Sequence, residues 1–83
     1  MKLPVIRHIQ RTATTEQINT AISVLENLSE APSLKDPEMD VIGELISNLC
    51  GALEVQQLIA EGMPEKDACN SFMKKVLGSI DQK

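Results

Sequence analysis

Residues 43–51 read Gly-Glu-Leu-Ile-Ser-Asn-Leu-Cys-Gly, a helix-forming run with glycine at both ends and serine halfway between them. Glycine inside a helix costs roughly 1 kcal/mol relative to alanine. A small protein tolerates that twice only where a side chain would be worse, so the stretch raises the question of what lies against it. Upstream, Asp36-Pro37 has the form of an N-cap followed by proline at the first helical position. Glu38 and Asp40 then place negative charge where the helix dipole favours it. Downstream, apolar residues continue to Ile59, and Gly62 supplies a C-cap. Residues 37–61 therefore read as one helix of roughly 37 Å at 1.5 Å per residue. A compact domain of this size has a radius of gyration near ~12 Å. Such a helix crosses the whole domain and can overhang it.

On a helical wheel Met39, Ile42, Leu45, Ile46, Leu49, Ala52, Leu53 and Ile59 form one broad apolar stripe, with Val41 at its edge. Gly43, Ser47 and Gly51 lie outside the stripe and form a lane of small residues on its flank, beside Cys50 and Leu58. Small residues four apart let another helix approach closely. The partner in that contact is a helix of the same chain or of a second copy; the competing reading is an exposed lane with a bend at Gly51. If the lane is a close contact, Gly51→Leu and Gly43→Leu both destabilise the protein. An N-cap at Asp36 likewise implies that Asp36→Ala costs about 1 kcal/mol.

Three further helices surround this one in sequence. Pro4 suits a first helical turn, and Val5, Ile6, Ile9 and Ala13 follow at helical spacing, although "LPVIRHI" also reads as a strand. Thr14 and Gln17 form a capping box, after which Ile18, Ala21, Ile22, Leu25 and Leu28 share a face, and Pro32 stops the helix near Ser29. Pro64 opens the last helix. Its apolar face is Ala68, Phe72, Met73, Val76 and Leu77, and Gly78 ends it. The expected fold is a single all-α domain over residues 1–83: a small helical bundle with a short N-terminal helix and three main helices, the third longest.

Charge is unevenly distributed. The N-terminal segment carries Lys2, Arg7, His8 and Arg11 and no acid, whereas from Glu16 to Glu61 Lys35 is the only base. The net charge of −4 disfavours nucleic acid and anionic membranes unless a basic face is segregated. The N-terminal bases are the sole candidate for such a face, and a solvated helix surface is the commoner reading of such a segment. Phe72 is the single aromatic residue, which leaves no stacking platform for unpaired bases.

Catalytic and metal signatures are missing. His8 is the one histidine, and Cys50 and Cys69 lack any ligand spacing, so both read as unlinked thiols in helices. Asp36, Glu38 and Asp40 resemble the start of a calcium loop, but Val41 and Ser47 stand where that loop needs glycine and glutamate. The turn at Gly62 could belong to a DNA-binding helix-turn-helix, yet Glu65 and Asp67 would face the phosphates. No cofactor is expected. No segment has the length of a membrane span or the form of a secretory leader, so a cytoplasmic setting is expected.

The segments "MKLPVIRHI", "PSLKDPEMDVIGELISNLCGALEV" and "FMKKVLGSIDQK" resemble a family of short all-helical bacterial proteins with no assigned activity. The resemblance spans nearly the whole chain and implies a complete protein, but it carries no site residues over. The expected function is non-catalytic: a small protein-interaction or assembly module that self-associates as a homo-oligomer, another protein being the other candidate partner. An accessory nucleic-acid-binding regulator using the basic N-terminal segment is the alternative.

Overall fold

The computed structural model describes residues 2–81, with side chains described as far as Val76. Four helices follow in order: α1 (Leu3–Thr12), α2 (Thr15–Leu28), α3 (Asp36–Ala60) and α4 (Glu65–Asp81). There is no strand among the described residues, and α3 is the longest helix, so the fold is the expected all-α bundle. The strand reading of "LPVIRHI" falls, because proline sits in the first turn of α1.

Local chemistry sets most boundaries. At the start of α2, the Gln17 backbone N–H donates to Thr14 Oγ1 at 3.0 Å, and the Thr14 N–H donates to Gln17 Oε1 at 2.9 Å. This is the expected capping box. The end of α3 is a Schellman motif: the Gly62 N–H donates to the Ile59 carbonyl at 2.9 Å, and the Met63 N–H to the Leu58 carbonyl at 3.1 Å. Gly62 has φ +108°, in the region that favours glycine.

The start of α3 departs from expectation. Lys35, not Asp36, is its N-cap, and Asp36 is the first helical residue. A lysine side chain has donors only and cannot cap a free N–H. The bond that is made runs the other way, from the Lys35 backbone N–H to Glu38 Oε1 at 2.9 Å. Asp36→Ala therefore removes first-turn charge and no capping bond. The last helix also differs, because it passes through Gly78 and continues to Asp81. A glycine lowers helix propensity by about 1 kcal/mol but does not block the helix, so it is a weaker stop than proline. Leu77, expected on the buried face, lies outside the described side chains.

Helix α3 is the axis of the molecule, with α1, α2 and α4 each packed against it. Registers follow from the polar contacts. The Lys2 N–H meets Asn48, and Gln56 meets the Gln10 carbonyl, both pairs being 46 residues apart. A constant offset means that α1 runs parallel to α3. Helix α2 runs antiparallel, because Thr15 meets Gln56 at one end while Leu28 lies beside Pro37, Val41 and Ile42 at the other. Helix α4 returns antiparallel, with Lys75 paired to Glu54 at 2.6 Å.

The core is Ile6, Ile18, Ala52, Val55, Ala68, Cys69 and Phe72. Its centre on α3 is rotated away from the expected stripe. Ile42, Asn48, Gly51, Ala52 and Val55 are the buried positions, whereas Met39 and Leu45 are exposed. Hydrophobicity alone misplaced the stripe, because a glycine and an asparagine contribute to the buried face.

Both cysteines are free, Cys50 exposed and Cys69 buried in the core. One thiol is expected to react promptly with an aromatic disulfide reagent in the native protein, and the second only in denaturant. Two thiols reacting at one rate in the native protein would contradict the packing of α4 on α3.

Candidate interaction groove

Two amide side chains of α3, neither singled out in the sequence, fix α1 in place. At its start, the Lys2 N–H donates to Oδ1 of the buried Asn48 at 2.9 Å. At its end, Gln56 Nε2 donates to the carbonyls of Gln10 at 3.1 Å and Ala13 at 2.6 Å, while Gln56 Oε1 accepts from the Thr15 hydroxyl at 2.8 Å. Carbonyls in the last turn of a helix have no partner within it, so Gln56 satisfies groups that would otherwise need water. The signal in the sequence was faint: two amides eight residues apart on one long helix.

A second tie joins the end of α1 to the start of α4. Arg11 grips Glu65 with two parallel bonds, Nε to Oε2 at 2.7 Å and an Nη to Oε1 at 2.6 Å, and Gln10 also donates to Glu65 Oε2. The bonds from Arg11 hold the Glu65 carboxyl below the usual carboxylate range against the opposing effect of desolvation; the Arg11 and Arg7 charges add to them. The guanidinium of Arg11 is correspondingly pushed up by the Glu65 bond and charge. A carboxyl whose folded pKa is depressed stabilises the fold above its unfolded pKa, near ~4.3, and loses that contribution as pH falls through the folded value. Glu65→Gln is thus expected to flatten the loss of thermal stability between about pH 5 and the acid limit, without abolishing it. An unchanged acid slope would mean that the fork contributes nothing in solution. The same pairing engages part of the basic N-terminal segment, since Arg11 is committed to Glu65 and Arg7 lies close enough to influence it.

Residues 43, 47 and 51 do not share one environment. Gly51 is buried, and a Cβ placed there would lie 2.8 Å from Ile6 Cδ1 and 3.0 Å from Phe72 Cζ. Ser47 is half-buried. A Cβ at Gly43 would meet nothing within 4 Å. The close approach is therefore made at Gly51 by α1 and α4 of the same chain. The expectation that Gly43→Leu destabilises through contact is corrected within this chain, where Gly43 faces open space.

What runs along α3 is a different stripe. Val55, Ala52, Asn48, Leu45 and Val41 follow at spacings of three and four, and so lie on one face. Their exposures are 0, 0, 4, 43 and 57%. The stripe is buried wherever α1 lies on it and opens where α1 has not yet begun. Helix α2, which runs from Gln56 back to Val41 along α3, continues alongside the open part. The result is a groove of about 450 Å³ lined by Leu28, Leu34, Pro37, Glu38, Val41 and Ile42. The chain enters α3 through Ser33, whose φ of 78° is uncommon outside glycine, before Leu34 reaches the groove. The molecule is correspondingly extended, with a radius of gyration of 13.8 Å and extents of 43 × 34 × 17 Å.

Among the described residues no group of histidine, cysteine and carboxylate side chains could hold a metal ion, and no buried side-chain nitrogen or oxygen lacks a hydrogen-bond partner. No described helix is long and apolar enough to cross a membrane.

Neither the curated proteins nor the solved structures include a match to this chain. One family model does match, over residues 1–81, and the chain accordingly belongs to the family of unknown function DUF6952.

Proposed function

We propose that this protein is a non-catalytic interaction module that docks another protein through the uncovered half of the α3 stripe. The observation that carries the reading is the continuity of that stripe. A single face goes from fully buried at Val55 to 57% exposed at Val41, with Asn48 as the one polar residue of the stripe. Exposed apolar surface gathered into one groove, instead of scattered singly, is characteristic of binding surfaces. Helices laid into such grooves are held by side chains at i, i+3, i+4 and i+7.

Self-association was the form of this function expected from the sequence. Two copies meeting symmetrically at the groove would bring Glu38, which lines it, and Asp40 of each toward those of the other, and Lys35 is the only base in the sequence from Glu16 to Glu61. The acidic surround therefore weighs against a symmetric pair at this face. In this reading the protein works in the cytoplasm, where Cys50 and Cys69 would stay reduced.

The test is differential affinity purification from the native cell. Proteins recovered with the parent chain should be lost from a Val41→Asp, Leu45→Asp double variant that melts within about 2 °C of the parent, as expected for exposed substitutions. Recovery of the same proteins by both chains would refute a role for the groove.

A further inference from the structure

We infer that the occupant of the groove is an amphipathic helix of about three turns from another protein, apolar along one side and flanked by lysine or arginine. The inference rests on the interaction reading above and adds the chemistry of the partner.

Length comes from α3 itself. The segment of α3 that precedes Asn48 runs from Asp36 to Ser47, roughly 18 Å at 1.5 Å per residue, or about three turns. Shape comes from α1, which fills the other half of the same face. A ten-residue helix lies there parallel to α3, seated through Ile6, and its first residues end against Asn48. The open half continues the face through the exposed Leu45 and Val41, and Val41 shares the groove with Leu28 and Leu34 as the opposite wall. A second short helix therefore fits in line with α1, on the same stripe.

Charge decides the class of partner. The helix that the filled half accepts is basic: Lys2, Arg7, His8 and Arg11 with no acid. The segments that border the open half in sequence carry Glu26, Glu30, Asp36, Glu38 and Asp40, with Lys35 among them and Lys2 at the junction with α1. Glu38 lines the groove itself. Rim charges of this kind steer and select partners and act over about 8 Å at physiological ionic strength. An acidic helix, a nucleic acid or an anionic lipid surface would be repelled.

The test uses the full chain with a photo-crosslinking phenylalanine analogue at position 41 or 45, irradiated in the native cell, followed by mapping of the captured peptide. Both positions should capture the same segment of another protein, with net positive charge and apolar residues at helical spacing. That segment, synthesised and labelled, should bind the purified protein in fluorescence anisotropy. Binding should weaken at least tenfold with Glu38→Lys plus Asp40→Lys, and again in the parent when salt is raised from 50 to 500 mM. Thermal melts establish that the variants are folded. Capture of an uncharged or acidic segment, or binding indifferent to charge reversal and salt, would overturn the basic helix and leave the interaction reading standing. Capture of a second copy of this chain would replace the occupant by self-assembly. Absence of any capture at both positions would overturn both readings.

Discussion

Ile6→Ala is expected to lower the free energy of unfolding by about 2–5 kcal/mol, the range for deleting a buried aliphatic side chain. Ile6 is completely buried and is the α1 residue nearest Gly51. It is the side chain through which α1 seats on α3. Domains of this size have a total stability of roughly 5–15 kcal/mol, so the loss is a large part of the whole. Besides the partly buried Leu3 and Ile9, which pack against the core, the remaining ties of α1 are hydrogen bonds at its two ends with Asn48, Gln56 and Glu65. Each contributes about 0.5–1.5 kcal/mol net, or somewhat more where a charge is involved, and they cannot replace the apolar seat. In urea melts the variant should show a sharply lower midpoint. In hydrogen exchange, α1 amides should lose protection first. A midpoint shift equivalent to less than 1 kcal/mol, against the ~2–5 expected, would mean that α1 is not packed on α3 in solution.

The second large effect concerns Gly51. Alanine there must displace Ile6 Cδ1 from 2.8 Å and Phe72 Cζ from 3.0 Å, and both side chains are buried. Overpacking of this kind costs about 1–3 kcal/mol, and the gain in helix propensity, about 1 kcal/mol, only partly offsets it. Gly51→Leu should cost more than alanine, because three further carbons meet the same wall. Gly43→Ala has the opposite sign. With nothing within 4 Å of the new methyl, the helix should gain about 0.4–1 kcal/mol. Ile6→Val offers an internal control, since it deletes the atom nearest the new methyl. The Ile6→Val, Gly51→Ala double variant should lose less stability than the two single variants together, with a coupling of at least about 0.5 kcal/mol. Strict additivity across the four melts would show that Gly51 is not held against Ile6.

These effects trace back to how far the sequence could be read. The capping box at Thr14, the stop at Gly62 and the dominance of α3 follow from residues close together in the chain, where backbone chemistry acts locally. The lane of small residues was also visible, and it correctly raised the possibility of a close approach. Which glycine makes that approach was not visible. Gly43 and Gly51 lie eight residues apart, about 80° round a wheel of α3, and only Gly51 is met by side chains, Ile6 of α1 and Phe72 of α4.

The same fact creates the groove. Leu45 and Val41 belong to a stripe that a hydrophobic pattern assigns in part to the core, and they are exposed because the short first helix starts too late to cover them. Asn48 and Gln56, which set where it lies, carry no hydrophobic signal at all. Local hydrogen bonding and periodicity thus determined the four helices from the sequence. The register of α1 on α3 was left to the tertiary structure, because it depends on two amides meeting backbone groups 43 to 46 residues distant along the chain.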